Sequence, residues 1–316
     1  MLRYLVQRLL VALPVLLGVT LLSYAIISLA PGDPVDLLID PNMSAHDIEQ
    51  MRIRLGLDKP WPVRYAKWLG ELARGNLGYS YLTGRPVAER IAERVGPTLS
   101  LTLSAFLLTY LVAIPVGVIA ATRQYSWIDY LTSFFALAGN SIPTFFLGLA
   151  MIYIFSLKLD LFPTGGSATL GGPGGWLDRL HHLVLPAVVL STTGMGRTMR
   201  FVRSAMLEVT RQDFIRTAWA KGLSRRAVIY KHALRNALIP VVTLIGLELP
   251  TLIGGAVITE SVFGWPGMGR LTIEAISQRD YPVIMALNLL TALMVLAGQL
   301  LTDLLYALVD PRIRYS

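Results

Sequence analysis

The chain contains no cysteine, which removes disulfides, thiolate metal sites and thiol nucleophiles together. Histidine is scarce as well, at four of 316 residues. His181 and His182 are adjacent, stand without an accompanying ligand cluster and read as interfacial polar residues, while His46 and His232 are solitary. No phosphate-binding loop, G-x-S-x-G, H-E-x-x-H or dinucleotide fingerprint occurs, so nothing points to catalysis within this polypeptide. Strand-like alternation is also missing. The apolar runs are continuous and punctuated by proline, which excludes a transmembrane barrel.

What is present is apolar bulk. Hydrophobic residues make up 54% of the chain and charged residues 15%, with a mean hydropathy of +0.56, outside the range of an ordinary soluble domain. Crossing a hydrocarbon core of about 30 Å takes roughly 20 helical residues. Runs of that kind lie at 9–29, 98–122, 131–157, 183–205, 238–259 and 283–306. An all-α membrane protein of six spans is therefore expected, because only a helix satisfies its own backbone in lipid. The fourth run is the least apolar, with Arg197, Arg200 and Arg203 in its C-terminal half.

Basic residues orient the chain. Arg3 and Arg8 place the N-terminus inside, and six crossings return Arg312 and Arg314 to the same side. The N-terminus has the outline of a signal peptide, with Ser28-Leu29-Ala30 as a cleavage site. Its apolar stretch exceeds the roughly 7 to 15 residues of such a region, and Pro14 interrupts it, so a retained helix is expected. The connection 31–97 carries nine basic and nine acidic residues and is expected to fold outside as a small cap, with helical periodicity at 47–57 and 63–72. Between 197 and 235 ten Lys and Arg face only Glu208 and Asp213, a net of +8 that equals the formal charge of the whole chain.

That basic stretch has readable local structure. Asp213, or Thr210, is placed to cap a short helix to Lys221 in which Phe214, Ala218, Ile215 and Trp219 form one apolar face. Gly222 ends it and Ser224 caps the next helix, giving helix, sharp turn, helix. A helix lying on anionic headgroups and a docking surface for another subunit fit the residues equally well.

Resemblance separates the two. RTAWAKG followed by SRRAVIYKHAL resembles the EAA loop of ATP-binding cassette (ABC) importers, with Arg216 at the acidic position, Thr217 and Ala218 at the small positions, Gly222 as the glycine, and Leu234-Arg235 in place of Leu-Pro. Loss of that proline is expected to make the second helix more continuous. Nearly the whole chain is similar to the B-type permease of dipeptide, oligopeptide, glutathione and nickel importers. The similar segments are APGDP at 30–34, LGLDKPWPVRYAKWL at 55–69, GNLGYS at 75–80, RPVAERIAERVGPTLSLTL at 85–103, ITESVFGWPGMGRL at 258–271 and RDYPVI at 279–284.

The resemblance implies a type I importer permease: an N-terminal span at 1–30, an extracytoplasmic segment at 31–97, and a core at 98–316 with its coupling loop at about 197–237. It implies residence in a bacterial or archaeal cytoplasmic (inner) membrane. The implied partners are a second, C-type permease, two ATP-binding subunits and an extracytoplasmic solute-binding protein; ATP and Mg belong to the ATPases, and no nucleic acid is involved. ATPase coupling would fall to Phe214, Arg216, Thr217, Ala218, Lys221, Gly222, Ser224 and Arg225. Phe263, Trp265, Pro266 and Gly267 would close the outer face and receive the binding protein. Glu248, an acid near the middle of a span, is the leading pathway residue, with Asn140 and Asn288 beside it. Peptides are the expected solute, with nickel or glutathione as alternatives. An ATPase-independent channel or ion-coupled carrier would instead carry several buried charges rather than Glu248 alone.

Overall fold

The computed structural model describes residues 2–29, 32, 34–37, 39, 43–172, 174–248 and 256–309. Residues 249–255, which fall in the fifth apolar run and include Pro250, lie outside the described residues, as do most of APGDP and the C-terminal arginines. Every described element is helical; the one extended pairing among the described residues is an isolated antiparallel bridge between Tyr79 and Pro86.

The first apolar run forms α1 (Leu2–Leu29), which tolerates Pro14 inside it. The connection after α1 then folds into α2 (Ala45–Leu55) and α3 (Trp61–Ala73), close to the expected periodic stretches. Ser44 and Asp47 form a reciprocal capping box at the start of α2, and their hydrogen bonds hold the Asp47 carboxyl below the usual carboxylate range. Gly56 closes α2 at φ 69°. The Tyr65 hydroxyl of α3 meets Thr20 Oγ1 at 3.0 Å and its ring packs on Tyr24, which docks this segment on α1.

The second run belongs to α4 (Val87–Thr122), which begins eleven residues earlier than the apolar run itself. Its 36 residues span about 54 Å. The third run does not form one straight helix. It is divided into α5 (Trp127–Ser141) and α6 (Thr144–Met151), the latter continuing into a π-helical stretch, Ile152–Lys158. The two halves bend by 104° at Ile142-Pro143, where Ile142 is extended because the following proline ring excludes the helical conformation. A glycine-rich loop leads to α7 (Trp176–Thr210). Its 35 residues contain the fourth run, but with the three arginines it is not among the helices apolar enough to qualify as a span by composition.

After α7 come α8 (Asp213–Ala220), a π-helical stretch Ala227–Ala233, α9 (Leu234–Ala237) and α10 (Ile239–Glu248). The chain ends with α11 (Val257–Val262), α12 (Met268–Ser277) and α13 (Tyr281–Val309). Among the described residues three helices are long and apolar enough to cross a membrane, or five if each bent pair counts as one span.

Helices α4 and α7 form the central pair. Ala113, Gly117 and Ala121 supply a small-residue face, and a Cβ on Gly117 would meet Val202 Cβ at 2.8 Å and the Met199 carbonyl oxygen at 2.9 Å. Gly196 of α7 plays the same part toward α5, where a Cβ would run into the Ala136 carbonyl. Two apolar clusters sit at opposite ends of α4. Val118 and Ala121 join Val202, Met206, Ile215 and Val228 at one end; Val87 and Ile91 join Leu271, Val283 and Ile284 at the other. Gly196→Val, which collides with backbone rather than a yielding side chain, is expected to cost about 1–3 kcal/mol and to lower the melting temperature in detergent. An unchanged melting curve would refute the close approach.

Candidate functional site

The basic segment folds as helix, turn, helix. Its first cap differs from expectation: Gln212 occupies the cap position without a side-chain hydrogen bond, and Asp213 is the first helical residue, where its charge favours the helix N-terminus. Thr210 instead donates to the Leu207 carbonyl. Gly222 adopts φ 73° and reverses the chain, and Ser224 Oγ accepts from the Ala227 amide.

The apolar face of α8 is split in two. Ile215 and Ala218 are buried against α4 and α7, whereas Phe214 and Trp219 project outward at 43% and 48% exposure. Arg216 and Lys221 are exposed beside them; Arg216 pairs with Asp213 at 3.2 Å, and Thr217 Oγ1 donates to the Asp213 carbonyl. Arg225 reaches the Thr122 carbonyl at the end of α4. The helix that follows runs unbroken through Leu234-Arg235, with a π-helical stretch at Ala227–Ala233. It bends by 41° only beyond Ala237, before α10, where Pro240 supplies no amide to the turn preceding it.

The opposite end of α4 is sealed by the FGWPGMG segment. Phe263 is buried against Leu185 and Val189, and Trp265 against Leu101 and Ala187, its indole donating to the Pro97 carbonyl at 2.9 Å. Pro266 is partly exposed and Gly267 buried. Beneath them lies Glu260, fully buried and not singled out from sequence. One of its oxygens accepts from Thr98 Oγ1 at 2.8 Å and the other from the Arg270 amide at 3.0 Å, so it caps the start of α12. A Cβ on Gly267 would fall on that carboxylate, and one on Gly269 would collide first with the Val257 backbone, with its Cα at 2.6 Å.

A second buried acid, Asp280, precedes α13. It accepts from Ser80 Oγ at 2.5 Å, the Tyr81 amide at 3.0 Å and Arg90 Nη1 at 2.9 Å. Burial pushes the Tyr81 hydroxyl well above the usual phenol range. The quoted segments GNLGYS, RPVAERI and RDYPVI thus meet at one ion pair, across almost 200 residues of chain. Nearby, the two histidines hold the loop before α7: His182 contacts Gly165 O and Thr169 Oγ1, and His181 contacts Leu161 O. Hydrogen bonds from Thr169 keep the Asp178 carboxyl below its ordinary range.

Midway between these ends, Glu248 Oε2 accepts from the Tyr110 hydroxyl at 2.7 Å, and Oε1 lies 3.9 Å from Arg197. Arg200 and Arg203, further along α7, are also engaged. Arg203 forms a double contact with Asp129 at 2.6 and 2.8 Å. Asn140, with its amide oriented to satisfy both neighbours, donates to Thr193 O and accepts from Arg200 at 3.1 Å. Glu248 and Asn140 are thus brought together through α7. Asn288 lies elsewhere, in an apolar cleft of about 1090 Å³ between α1 and α13. Glu248 is half-buried near the middle of its apolar run, whereas Asp129, Glu260 and Asp280 are more deeply buried but sit near helix ends, each with its own donors.

Buried ion pairs among long apolar helices, with an amphipathic helix of a basic segment docked at one end and aromatic side chains filling the other, define a polytopic helical membrane protein. The chain belongs to the family of binding-protein-dependent transport system inner membrane components, which it matches over residues 113–315, and residues 1–102 match the N-terminal part of such components. It is 48% identical to the oligopeptide transport system permease protein AppB of Bacillus subtilis, with 99% of each chain covered. It is 43% identical to the di/tripeptide transport system permease protein DppB of Pseudomonas aeruginosa and 40% identical to the dipeptide permease DppB of Escherichia coli K12, in each case over 100% of both chains. Among solved structures it is similar in fold to the inward-facing MetNI methionine ABC transporter, with a TM-score of 0.55 at 20% identity, covering 70% of this chain and 96% of that one.

Asp280→Ala removes the charge that compensates Arg90, whose side chain is only 12% exposed, and is expected to destabilise the protein by about 3–5 kcal/mol. Thermal unfolding in detergent checks this, and Arg90→Met in the Asp280→Ala background should recover part of the loss.

Proposed function

We propose that this chain is one permease of an ATP-driven importer of di- or oligopeptides, forming half of a translocation pathway and holding no catalytic site itself. A second homologous permease completes the pathway, two cytoplasmic ATPase subunits bind ATP and Mg, and an extracytoplasmic binding protein delivers the solute. The full-length similarity to permeases named for peptides supports the solute class. In this reading α7 supplies a sixth crossing, both termini are cytoplasmic, and residues 31–97 cap the outer face of a bacterial or archaeal cytoplasmic membrane.

The observation that carries the coupling assignment is α8. Ile215 and Ala218 root it in the core, while Phe214 and Trp219 are left projecting with Arg216 and Lys221 around them. Aromatic residues with an arginine nearby are the usual anchors of a protein interface. Thr217 and Ser224 hold the local turns around Gly222, and Arg225 ties the turn to the end of α4; all four residues lie on the exposed side with Phe214 and Trp219. At the far end Phe263, Trp265, Pro266 and Gly267 serve as the outer gate, with Glu260 as the buried post on which they are set. Glu248 marks the pathway; Asn140 orients an α7 arginine, and Asn288 faces a cleft that another helix or lipid fills.

Proline cannot adopt the positive φ of Gly222. Gly222→Pro should therefore leave the protein in the membrane while uncoupling ATP hydrolysis from uptake in the reconstituted complex; normal uptake would defeat the coupling assignment. Trp219→Ala should lower ATPase recovery in detergent pull-downs by about 10-fold or more, as loss of a buried aromatic anchor does. Recovery equal to wild type would place the interface elsewhere.

A further inference from the structure

The three arginines in the C-terminal half of α7, Arg197, Arg200 and Arg203, are held in unlike ways. Arg203 meets Asp129 through two short contacts, 2.6 and 2.8 Å, and the Asp129 side chain is 4% exposed. That is the two-point geometry of a permanent pair. Arg197 meets Glu248 at a single 3.9 Å approach, and its side chain is 59% exposed. Glu248 is the better fixed of the two, because the Tyr110 hydroxyl donates to its other oxygen at 2.7 Å.

Depth makes the looser pair informative. Tyr110 lies twelve residues along α4 from Thr98, which sits under the outer aromatic segment, and eleven from Ala121, which packs at the α8 end. These intervals correspond to about 18 and about 16 Å of helix, so the pair sits near mid-depth. An arginine exposed at that depth costs about 2.5–3.5 kcal/mol if it faces lipid, and it is accommodated where it faces water or protein. Solute sites in transporters cluster at the same depth.

We propose that Arg197 and Glu248 form a mid-membrane station for the charged ends of a peptide, on the reading given above. The Arg197 guanidinium takes the terminal carboxylate as a bidentate partner, replacing its single contact with Glu248. Glu248, kept in place by Tyr110, then faces the terminal ammonium. Between solutes the two side chains neutralise each other, so neither is left as an isolated charge in the membrane. The ligand class is thus the zwitterionic peptide backbone, independent of side chains. Side-chain selection would rest on the delivering protein.

The test uses the complete complex in proteoliposomes with saturating peptide-loaded binding protein, so that differences in delivery affinity drop out. Alanine peptides of two to five residues are compared with their C-terminal amides and N-acetyl forms. In the wild type the free peptide should turn over at least 10-fold faster than its amide. Arg197→Gln should bring that ratio close to one, and Arg197→Lys should retain most of it. Glu248→Gln should flatten the ratio of free to N-acetylated peptide instead, and it supplies the same decision if Arg197→Gln fails to assemble. Import with both ratios unchanged by these variants, or a wild type indifferent to amidation, would overturn the station while leaving the peptide importer standing. No import of any alanine peptide would overturn both.

Discussion

Charge inside an apolar slab persists only where the protein itself supplies a partner, and this constraint organises the molecule. Arg197, Arg200 and Arg203 place three cations along one helix, and each partner comes from a different element or a different position: Glu248 on α10, Asn140 near the end of α5, Asp129 at its start. Those contacts fix how α5 and α10 sit against α7. The small faces at Gly117 and Gly196 then set how closely α4 and α5 approach it. Polar pairing decides which helices meet, and glycine decides at what distance.

The outer end follows the same logic with acids in place of arginines. Glu260 caps α12 and takes the Thr98 hydroxyl from α4, so the FGWPGMG turn is fastened from below by one carboxylate. Asp280 gathers Ser80, the Tyr81 amide and Arg90, fastening the loop before α4 to the start of α13. Both acids are reached through hydroxyl or guanidinium groups from residues more than 150 positions away. Neither junction depends on the aromatic residues that cover it.

Much of this was legible in the amino acids. The runs, the helical cap segments, the small-residue face of α4 and the Gly222-Ser224 turn all rest on local rules of period, capping and glycine conformation. What the residues did not disclose depends on context. Phe214 and Ile215 are equally apolar and adjacent, and only the position of α4 decides which is covered. Ile142-Pro143 was visible as a proline within a long run, yet a 104° bend and a mild kink are the same dipeptide on paper. Glu260 lay inside a quoted motif without being singled out, because its partner Thr98 is 162 residues away. The signal that could have found it was an acid followed by Gly267 and Gly269 in one turn-forming segment, where the missing side chain of Gly267 makes room for the carboxylate and that of Gly269 for the Val257 backbone.

Helix α4 touches every station described: Arg90 at the outer ion pair, Thr98 under the aromatic turn, Tyr110 at mid-depth and Ala121 above α8. Taken about Tyr110, it has arms of 23 and 12 residues, about 34 and about 18 Å. It is therefore an unequal lever with its fulcrum beside Glu248 and its short arm on α8. A tilt that displaces the short arm by about 1 Å sweeps the long arm by about 2 Å, in the opposite sense. Mechanical gain of this kind needs no hinge at the outer face, and it turns a small push at one side of the membrane into a larger opening at the other.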